Sequence, residues 1–278
     1  MHTPDGFITG WICIVMLIAS ILALALALKN LRKANAGSIA AVAAVIFLAQ
    51  MINFPIAGAT SGHLVGAAFA FLVLGAEGAV IAMAAVLLVQ ALAFGDGGLL
   101  SLGVNIFTMG IIGVHAASFA AKRFSNSALS TFAASWVSVI AASIAAGILL
   151  AMSGIGLNVI PAMAFTHSII GIGEGLITLV LVNLLLSRLQ NPSLGLSLAS
   201  SGIMFLIVAM ILPFASQAPD GLESIAINLG FFENAVEYTA PLSYSLGALA
   251  AFAGAGLTFL VCYIITQFSY RAVSSQAV

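Results

Sequence analysis

Charged side chains are almost absent from this sequence of 278 residues. Asp, Glu, Lys and Arg make up 5% of it and hydrophobic residues 63%, whereas soluble domains carry roughly 25% charged residues. A chain with so little charge cannot cover a surface that faces water. It is therefore predicted to be an all-α integral membrane protein, because backbone groups in a bilayer must be satisfied within helices.

Other absences exclude whole classes of function. The two cysteines, Cys13 and Cys262, lie in separate apolar runs, so neither a disulfide framework nor a CxxC metal site is available. A net charge of −1 leaves no basic surface for nucleic acid. The sequence has no Gly-rich phosphate loop and no HExxH pair, so it is predicted to be neither an ATPase nor an intramembrane metalloprotease. We expect no enzymatic activity and no resident cofactor.

The apolar runs predict about nine transmembrane helices. They fall near residues 7–28, 36–54, 64–74, 78–95, 102–121, 129–153, 160–187, 197–215 and 244–269. The stretch 64–95 could be one long helix or two short ones, and "GAEG" at 75–78 interrupts it with two glycines and an acid.

The positions of the basic residues decide between these alternatives. A turn at Glu77 places all of them on the side opposite Met1: Lys29, Arg32, Lys33, Lys122, Arg123, Arg188 and Arg271. The positive-inside rule then predicts that the N-terminus lies outside and the C-terminus in the cytoplasm. Basic residues follow the first apolar run instead of preceding it, which is the reverse of a secretory signal, so this run is predicted to be an uncleaved span. Met1 is predicted to be retained because methionine aminopeptidase removes Met only before small residues, and His2 is not small.

The opening "MHTPDG" is polar in an otherwise apolar chain. The terminal amine of Met1, the backbone nitrogen of His2 and the imidazole of His2 can close two fused chelate rings on one metal ion. Three such nitrogens lie in a plane and suit Ni(II), Cu(II) or Co(II) better than tetrahedral Zn(II). Pro4 stops the chelate from continuing along the backbone because it has no N–H. The alternative is a solvated polar tail.

Further polar residues are expected near the same membrane face. His63 lies in "NFPIAGATSGHLVG" (53–66), after the second span. Asp96 and Asn105 surround a predicted outer turn, and Asn105 could equally be a buried residue bonded to a neighbouring helix. His167 and Glu174 share one stripe of a predicted span, where ionisable residues suggest function. For these last two, hydrogen bonding around the ligands is favoured over ligation.

The stretch "APDGLESIAINLGF" (218–231) predicts a short amphipathic helix lying at the membrane surface. Asp220 and Glu223 have the spacing of a capping box, and Gly230 ends the apolar stripe. These acids are interpreted as helix caps.

Several of these stretches together resemble the cobalt/nickel substrate-specificity components of energy-coupling-factor (ECF) transporters, the CbiM/NikM family. The resemblance rests on "MHTPDGF", "SGHLVGA", "LLVQALAFGDGGLLSLGVNIFTMGIIG" and "HSIIGIGEGLIT", in that order. The rest, with two spans around a loop containing "PDGLE", is similar to the family's small partner subunit, NikN-like and fused here. The resemblance implies a seven-helix metal-binding component at 1–193 and a two-span segment at 194–278.

The resemblance also implies a site and a function. In this family four nitrogens hold the metal in a square plane, and they carry over to Met1, His2 and His63. Asp96, Asn105, His167 and Glu174 are candidates for supporting roles. The family's loop often reads Ser-His-Pro-Thr-Gly, whereas here it is "SGHLVG". A substrate-binding component of this type lies in the cell membrane and works with a transmembrane coupling component and ATP-binding subunits.

Two other functions remain open at this point. One is a secondary metal carrier or channel that uses Glu174 and His167 as an intramembrane relay, although such a carrier would want several carboxylates within its spans. The other is an accessory or sensor protein of the membrane that transports nothing. The sequence does not separate nickel from cobalt.

Overall fold

The computed structural model describes residues 1–31, 35–56, 60–189, 193–236 and 238–275. Arg32, Lys33 and Glu237 lie outside these residues. The helices are α1 (Gly10–Asn30), α2 (Ala36–Gln50), α3 (Ala67–Val89), α4 (Leu102–Asn105), α5 (Gly113–Ala121), α6 (Ser127–Leu150), α7 (Val159–Leu189), α8 (Leu194–Ile211), α9 (Gly221–Leu229) and α10 (Ala248–Ser275). Two short strands, β1 (Phe54–Ile56) and β2 (Thr60–Gly62), pair antiparallel.

Side-chain caps mark where several helices begin. Asn35, Asn126 and Ser193 each accept a hydrogen bond from a backbone N–H in the first turn of α2, α6 and α8, respectively. The helices then run through apolar sequence without interruption by charge. Two π-helical turns, Gln90–Phe94 and Ile106–Ile112, extend α3 and join α4 to α5.

Long apolar helices confirm the prediction of a helical, multi-pass membrane protein. In the part of the chain that the structure describes, seven helices are long and apolar enough to cross a membrane. Large aliphatic side chains on α1 point outward, among them Ile14, Ile18 and Leu22, each more than half exposed. A bilayer is the solvent in which such a surface is stable.

The segment 64–95 reverses direction at Gly75, as the interruption in its sequence suggested. Gly75 has φ 76° and ψ 179°, a conformation open to glycine that breaks the helix. A Cβ on Gly113 would lie 3.2 Å from the Cβ of Ala67, and one on Gly110 would lie 3.3 Å from the Cβ of Met83. In a straight helix Ala67 and Met83 would be about 24 Å apart, so the two arms of α3 must fold back on each other.

The prediction of nine full-length spans is not confirmed. The first arm of α3, residues 67–74, is about 12 Å long by helix geometry, and a bilayer core is about 30 Å thick. Helix α2 has 15 residues and is also shorter than the seven long helices. The glycines in the sequence predicted the reversal, but they did not predict that the first arm of α3 would be too short to cross the bilayer.

Helix α2 lies at the centre of the protein, with every residue buried. It packs against α3 and also against α8 and α10 from the C-terminal segment. The approach of α10 is close, because a Cβ on Gly254 would overlap the ring of Phe47. The two predicted segments of the chain therefore share one core.

Five connecting segments meet at one end of the helices. The N-terminal residues bond to 95–101 through Thr3, to 151–158 through Thr9 and to 212–247 through Asp5. The hairpin β1–β2 joins them, since Ser61 donates its N–H to the Pro219 carbonyl. Residues 212–247 also contain α9, which confirms the predicted short helix and its capping box.

Candidate metal centre

The first residues of the chain are buried inside the protein, which contradicts the interpretation as a solvated tail. Met1 is 4% exposed and Thr3 1%. The N–H of Thr3 donates to the side-chain oxygen of Asn105 at 2.8 Å. Its carbonyl accepts from Nδ2 of Asn105 and from the N–H of Gly98, both at 3.0 Å. Asn105 therefore fixes the backbone immediately after His2.

The glycine-rich loop after α3 fits around the same segment. The carboxylate of Asp5 accepts backbone N–H groups of Leu99, Leu100 and Ser101 at 2.9 to 3.2 Å. A Cβ on Gly98 would overlap Oδ1 of Asp5, so the position requires glycine. This loop anchors the N-terminus, a role that the sequence had not indicated for Asp5.

The terminal amine of Met1 lies between a histidine and a carboxylate. Its nitrogen is 3.1 Å from Nε2 of His63 and 2.5 Å from Oδ2 of Asp220. Nε2 of His63 is itself 3.8 Å from the same oxygen. The structure thus brings together residues from the two ends of the sequence.

The imidazole of His2 stacks on that of His63. The ring centroids are 5.2 Å apart and the planes differ by 6°. Nδ1 of His2 lies 3.1 Å from Oδ1 of Asp96, while its buried Nε2 has no hydrogen-bond partner among the described residues. Met1, His2 and His63 therefore lie together, and Asp96 contacts His2 directly.

Glu174 holds the backbone that follows His63. Its two carboxylate oxygens accept the N–H groups of Val65 and Gly66, at 2.7 and 3.0 Å. Nδ1 of His63 bonds to the Leu64 carbonyl at 3.0 Å, which leaves Nε2 directed at Met1. A buried carboxylate on α7 thus orients the loop without touching the imidazole.

His167 lies near this group without bonding to it. Its Nδ1 bonds to the Met163 carbonyl at 2.9 Å. Its Nε2 is buried and has no partner among the described residues. A cavity of about 10 Å³, the size of one water molecule, is bounded by His167 together with Met1, His63 and Asp220.

Neighbouring groups lower the pKa of both carboxylates, Asp220 and Asp96. Burial raises the pKa of Asp220, but the terminal ammonium and His63 outweigh it and hold that pKa well below its usual value. Burial also raises the pKa of Asp96, yet His2 brings it down to about 2. For His63, burial and then the terminal ammonium lower the pKa of the imidazole, against the opposing effect of Asp220.

Asp220 is the residue that sequence reasoning missed. It was interpreted as a cap of α9, and its Oδ1 does accept the N–H of Glu223 at 2.8 Å. Its second oxygen, Oδ2, faces Met1. The Asp220 carboxylate therefore both caps α9 and contacts Met1. The local sequence "PDGLE" gives no sign of the contact with the first residue of the chain.

A cavity of about 840 Å³ leads to these residues. Its wall includes His2, His63, Asp96, Asp220 and Glu223, and much of the remainder comes from 209–218 and 244–248. Within the described ranges, no three or more His, Cys, Asp or Glu side chains are grouped to hold a metal ion.

Comparison with known proteins places this arrangement in a family. A family model described as "Cobalt uptake substrate-specific transmembrane region" (CbiM) matches residues 2–192. This chain belongs to the CbiM family. The CbiM region includes His2, His63, Asp96, Asn105, His167 and Glu174, so the predicted kinship is confirmed.

Relatives of the CbiM family extend the likeness to the C-terminal segment. A protein of Archaeoglobus fulgidus, named as a fused nickel transport protein of the NikMN type, is 35% identical over 95% of both chains. The "Fused nickel transport protein NikMN" of Rhodobacter capsulatus is 32% identical over 70% of this chain and 63% of that one. A crystal structure titled as a truncated transition metal transporter is 33% identical with a TM-score of 0.61, covering 67% of this chain and 99% of that chain.

Proposed function

We propose that this protein is the substrate-binding membrane component of an ATP-driven uptake system for Ni(II) or Co(II). It captures the ion with four nitrogens in a plane: the Met1 amine, the backbone nitrogen and imidazole of His2, and Nε2 of His63. The single observation that carries the proposal is the meeting of Met1 and His63 at 3.1 Å. The names of its relatives, which are nickel and cobalt transport proteins, support the choice of ion.

The spacing of the two nitrogens suits a shared metal ion. Metal–nitrogen bonds of about 2 Å at a right angle place neighbouring nitrogens about 2.8 Å apart. The amine of Met1 and Nε2 of His63 are close to that separation already. Burial of both residues would exclude water from the bound ion, and nitrogen ligands in a plane suit Ni(II) and Co(II).

Binding requires His2 to change its contacts. Only Nδ1 of the imidazole is near enough to the residue's own backbone nitrogen to close a chelate ring. That atom lies against Asp96 in this structure. Ion binding therefore requires Nδ1 of His2 to leave Asp96 and the Met1 amine to leave Asp220.

The proposed topology has the N-terminus outside and the C-terminus in the cytoplasm. The reversal at Gly75 keeps His63 and Asp96 on the same end, as this topology requires. Residues 1–193 form the metal-binding component and 194–278 the fused partner segment, which contributes Asp220 to the site. The ion then enters from the outer face through the cavity beside Glu223.

Transport energy comes from other subunits in this proposal. The sequence contains no phosphate-binding loop, so an ECF-type transmembrane coupling component and ATP-binding subunits supply it. The protein itself catalyses no reaction. The alternative, a secondary carrier or channel with a Glu174–His167 relay, is less favoured because Glu174 already bonds two backbone N–H groups.

Uptake measurements separate the two functions. Membrane vesicles that contain this chain alone should take up no labelled nickel or cobalt, and adding the coupling and ATP-binding subunits with ATP should start uptake. The purified chain should bind nickel or cobalt, with a competition series ranking the two. Uptake by the chain alone without ATP would establish the carrier instead.

Replacing Glu174 by Gln should weaken metal binding about 10- to 100-fold, the usual effect of removing a partner that orients a ligand. The amide has one oxygen where the carboxylate has two, so one N–H of Val65 or Gly66 loses its acceptor. Calorimetric titration with Ni(II) checks this. Lost transport with unchanged affinity would instead support the intramembrane relay.

Metal binding should weaken steeply as pH falls below about 6, because protons compete for the terminal amine and the imidazoles. The lowered pKa of His63 keeps its ring neutral to lower pH than an ordinary histidine. Protons should therefore displace the metal from His63 only towards the lower end of this pH range. Titrations with Ni(II) between pH 5 and 8 measure this. Constant affinity over that range would point to carboxylate ligands such as Asp96 and Asp220.

A further inference from the structure

The carboxylate of Asp96 lies between His2 and Tyr244, a residue of the C-terminal segment. The hydroxyl of Tyr244 donates to Oδ2 of Asp96 at 3.0 Å. The other oxygen of that carboxylate lies 3.1 Å from Nδ1 of His2. The ring of Tyr244 stacks on Phe94 with centroids 4.8 Å apart and planes 13° apart. The tyrosine is therefore fixed, and Asp96 is held between two partners.

This contact covers the nitrogen that the proposed chelate needs. An ionised carboxylate can only accept a hydrogen bond, so Nδ1 of His2 carries the hydrogen and its lone pair is not available to a metal. The other ring nitrogen, Nε2, has no partner among the described residues and lies too far from the backbone to close the ring. Metal binding has to separate His2 from Asp96.

We propose that Tyr244 is a positioning residue that holds Asp96 on Nδ1 of His2, a contact called the latch below, and so restricts access of the ion to that nitrogen. The inference rests on the proposed function, since it concerns the same nitrogens. It assigns a role to the fused segment within the site: Tyr244 restrains His2 through Asp96, while Asp220 pairs with Met1. The ion enters when the latch opens.

A latch of this kind lowers the apparent affinity for the ion. If only a fraction of the molecules has Nδ1 free, the observed Kd is the intrinsic Kd divided by that fraction. Tyr244→Phe removes the hydroxyl and keeps the ring that stacks on Phe94. It should accelerate Ni(II) association and lower Kd by about 3- to 10-fold, with the dissociation rate unchanged, because the bound form does not contain the latch.

The experiment is stopped-flow and calorimetric titration of the purified full chain with Ni(II). The matched control is Tyr263→Phe, which removes the same hydroxyl from a ring in α10 that stacks on Phe259. Asp96→Asn and the double variant Asp96→Asn with Tyr244→Phe complete a mutant cycle. The effect of Tyr244→Phe should disappear when Asp96→Asn is already present, and a merely structural role for Tyr244 would persist there.

The outcomes separate this inference from the proposed function. Wild-type affinity, weaker binding or faster dissociation in Tyr244→Phe would overturn the latch, provided that the wild type binds and His2→Ala does not. An equal effect of Tyr244→Phe with and without Asp96 would overturn it too. If the wild type binds neither nickel nor cobalt, or if His2→Ala binds normally, then the proposed function fails first.

Discussion

An extension of two residues before Met1 is expected to abolish nickel and cobalt binding. The addition turns the present amine into an amide and moves the new amine beyond the two chelate rings. The buried amine also has no room to move, since it lies between His63 and Asp220. The loss should exceed the roughly 10- to 100-fold caused by removing an outer partner of a ligand. Calorimetric titration of the purified, extended protein measures it.

Three matched changes show whether the amine itself matters. Acetylation of Met1 removes its lone pair without altering a side chain and should be as severe as the extension. Thr3→Ala should have little effect, because Oγ1 of Thr3 is buried without a hydrogen-bond partner among the described residues. The same two residues added after Val278 should also be tolerated. Normal binding by the extended protein would remove Met1 from the site.

Replacing His63 by Ala is expected to abolish high-affinity binding while the protein still folds. Nε2 of His63 lies 3.1 Å from the Met1 amine. His115 cannot take its place, since its Nδ1 bonds within its helix to Ile111. The loop itself should persist, because Glu174 holds its backbone and not the ring. Titration with Ni(II) tests the loss of binding, and thermal unfolding tests whether the variant still folds.

His115→Ala is the matched control for this variant. It removes an exposed histidine from the same protein and should leave metal affinity unchanged. Affinity in His63→Ala equal to that of the control would exclude His63 as a ligand. A large drop in thermal stability together with lost binding would show that His63 holds the loop, and His2→Ala would then be the cleaner probe of the nitrogens.

The membrane class and the break near Glu77 could be predicted from the sequence because their signals are local. A near absence of charge predicts helices in a bilayer, and two glycines around Glu77 predict a break, which occurs at Gly75. A histidine after Met1 is a chelating group wherever it lies. The capping box of α9 is likewise a short-range pattern, and it is present as predicted.

The remaining features depend on contacts between distant parts of the chain. Asp220 and Tyr244 reach the site only because α8 and α10 pack on α2, and their neighbours in the sequence give no sign of it. The sequence could not predict the number of full membrane crossings either. Hydropathy shows where an apolar run lies but not how deeply a short arm such as 67–74 enters the bilayer core.

X-ray absorption at the nickel edge of the loaded, purified full-length protein tests the central claim most directly. Four nitrogens at about 2 Å with the spectral signature of a planar site are expected, and both should be lost in the protein extended before Met1. A six-coordinate shell dominated by oxygen, or a spectrum unchanged by the extension, would contradict a metal site built on the N-terminus.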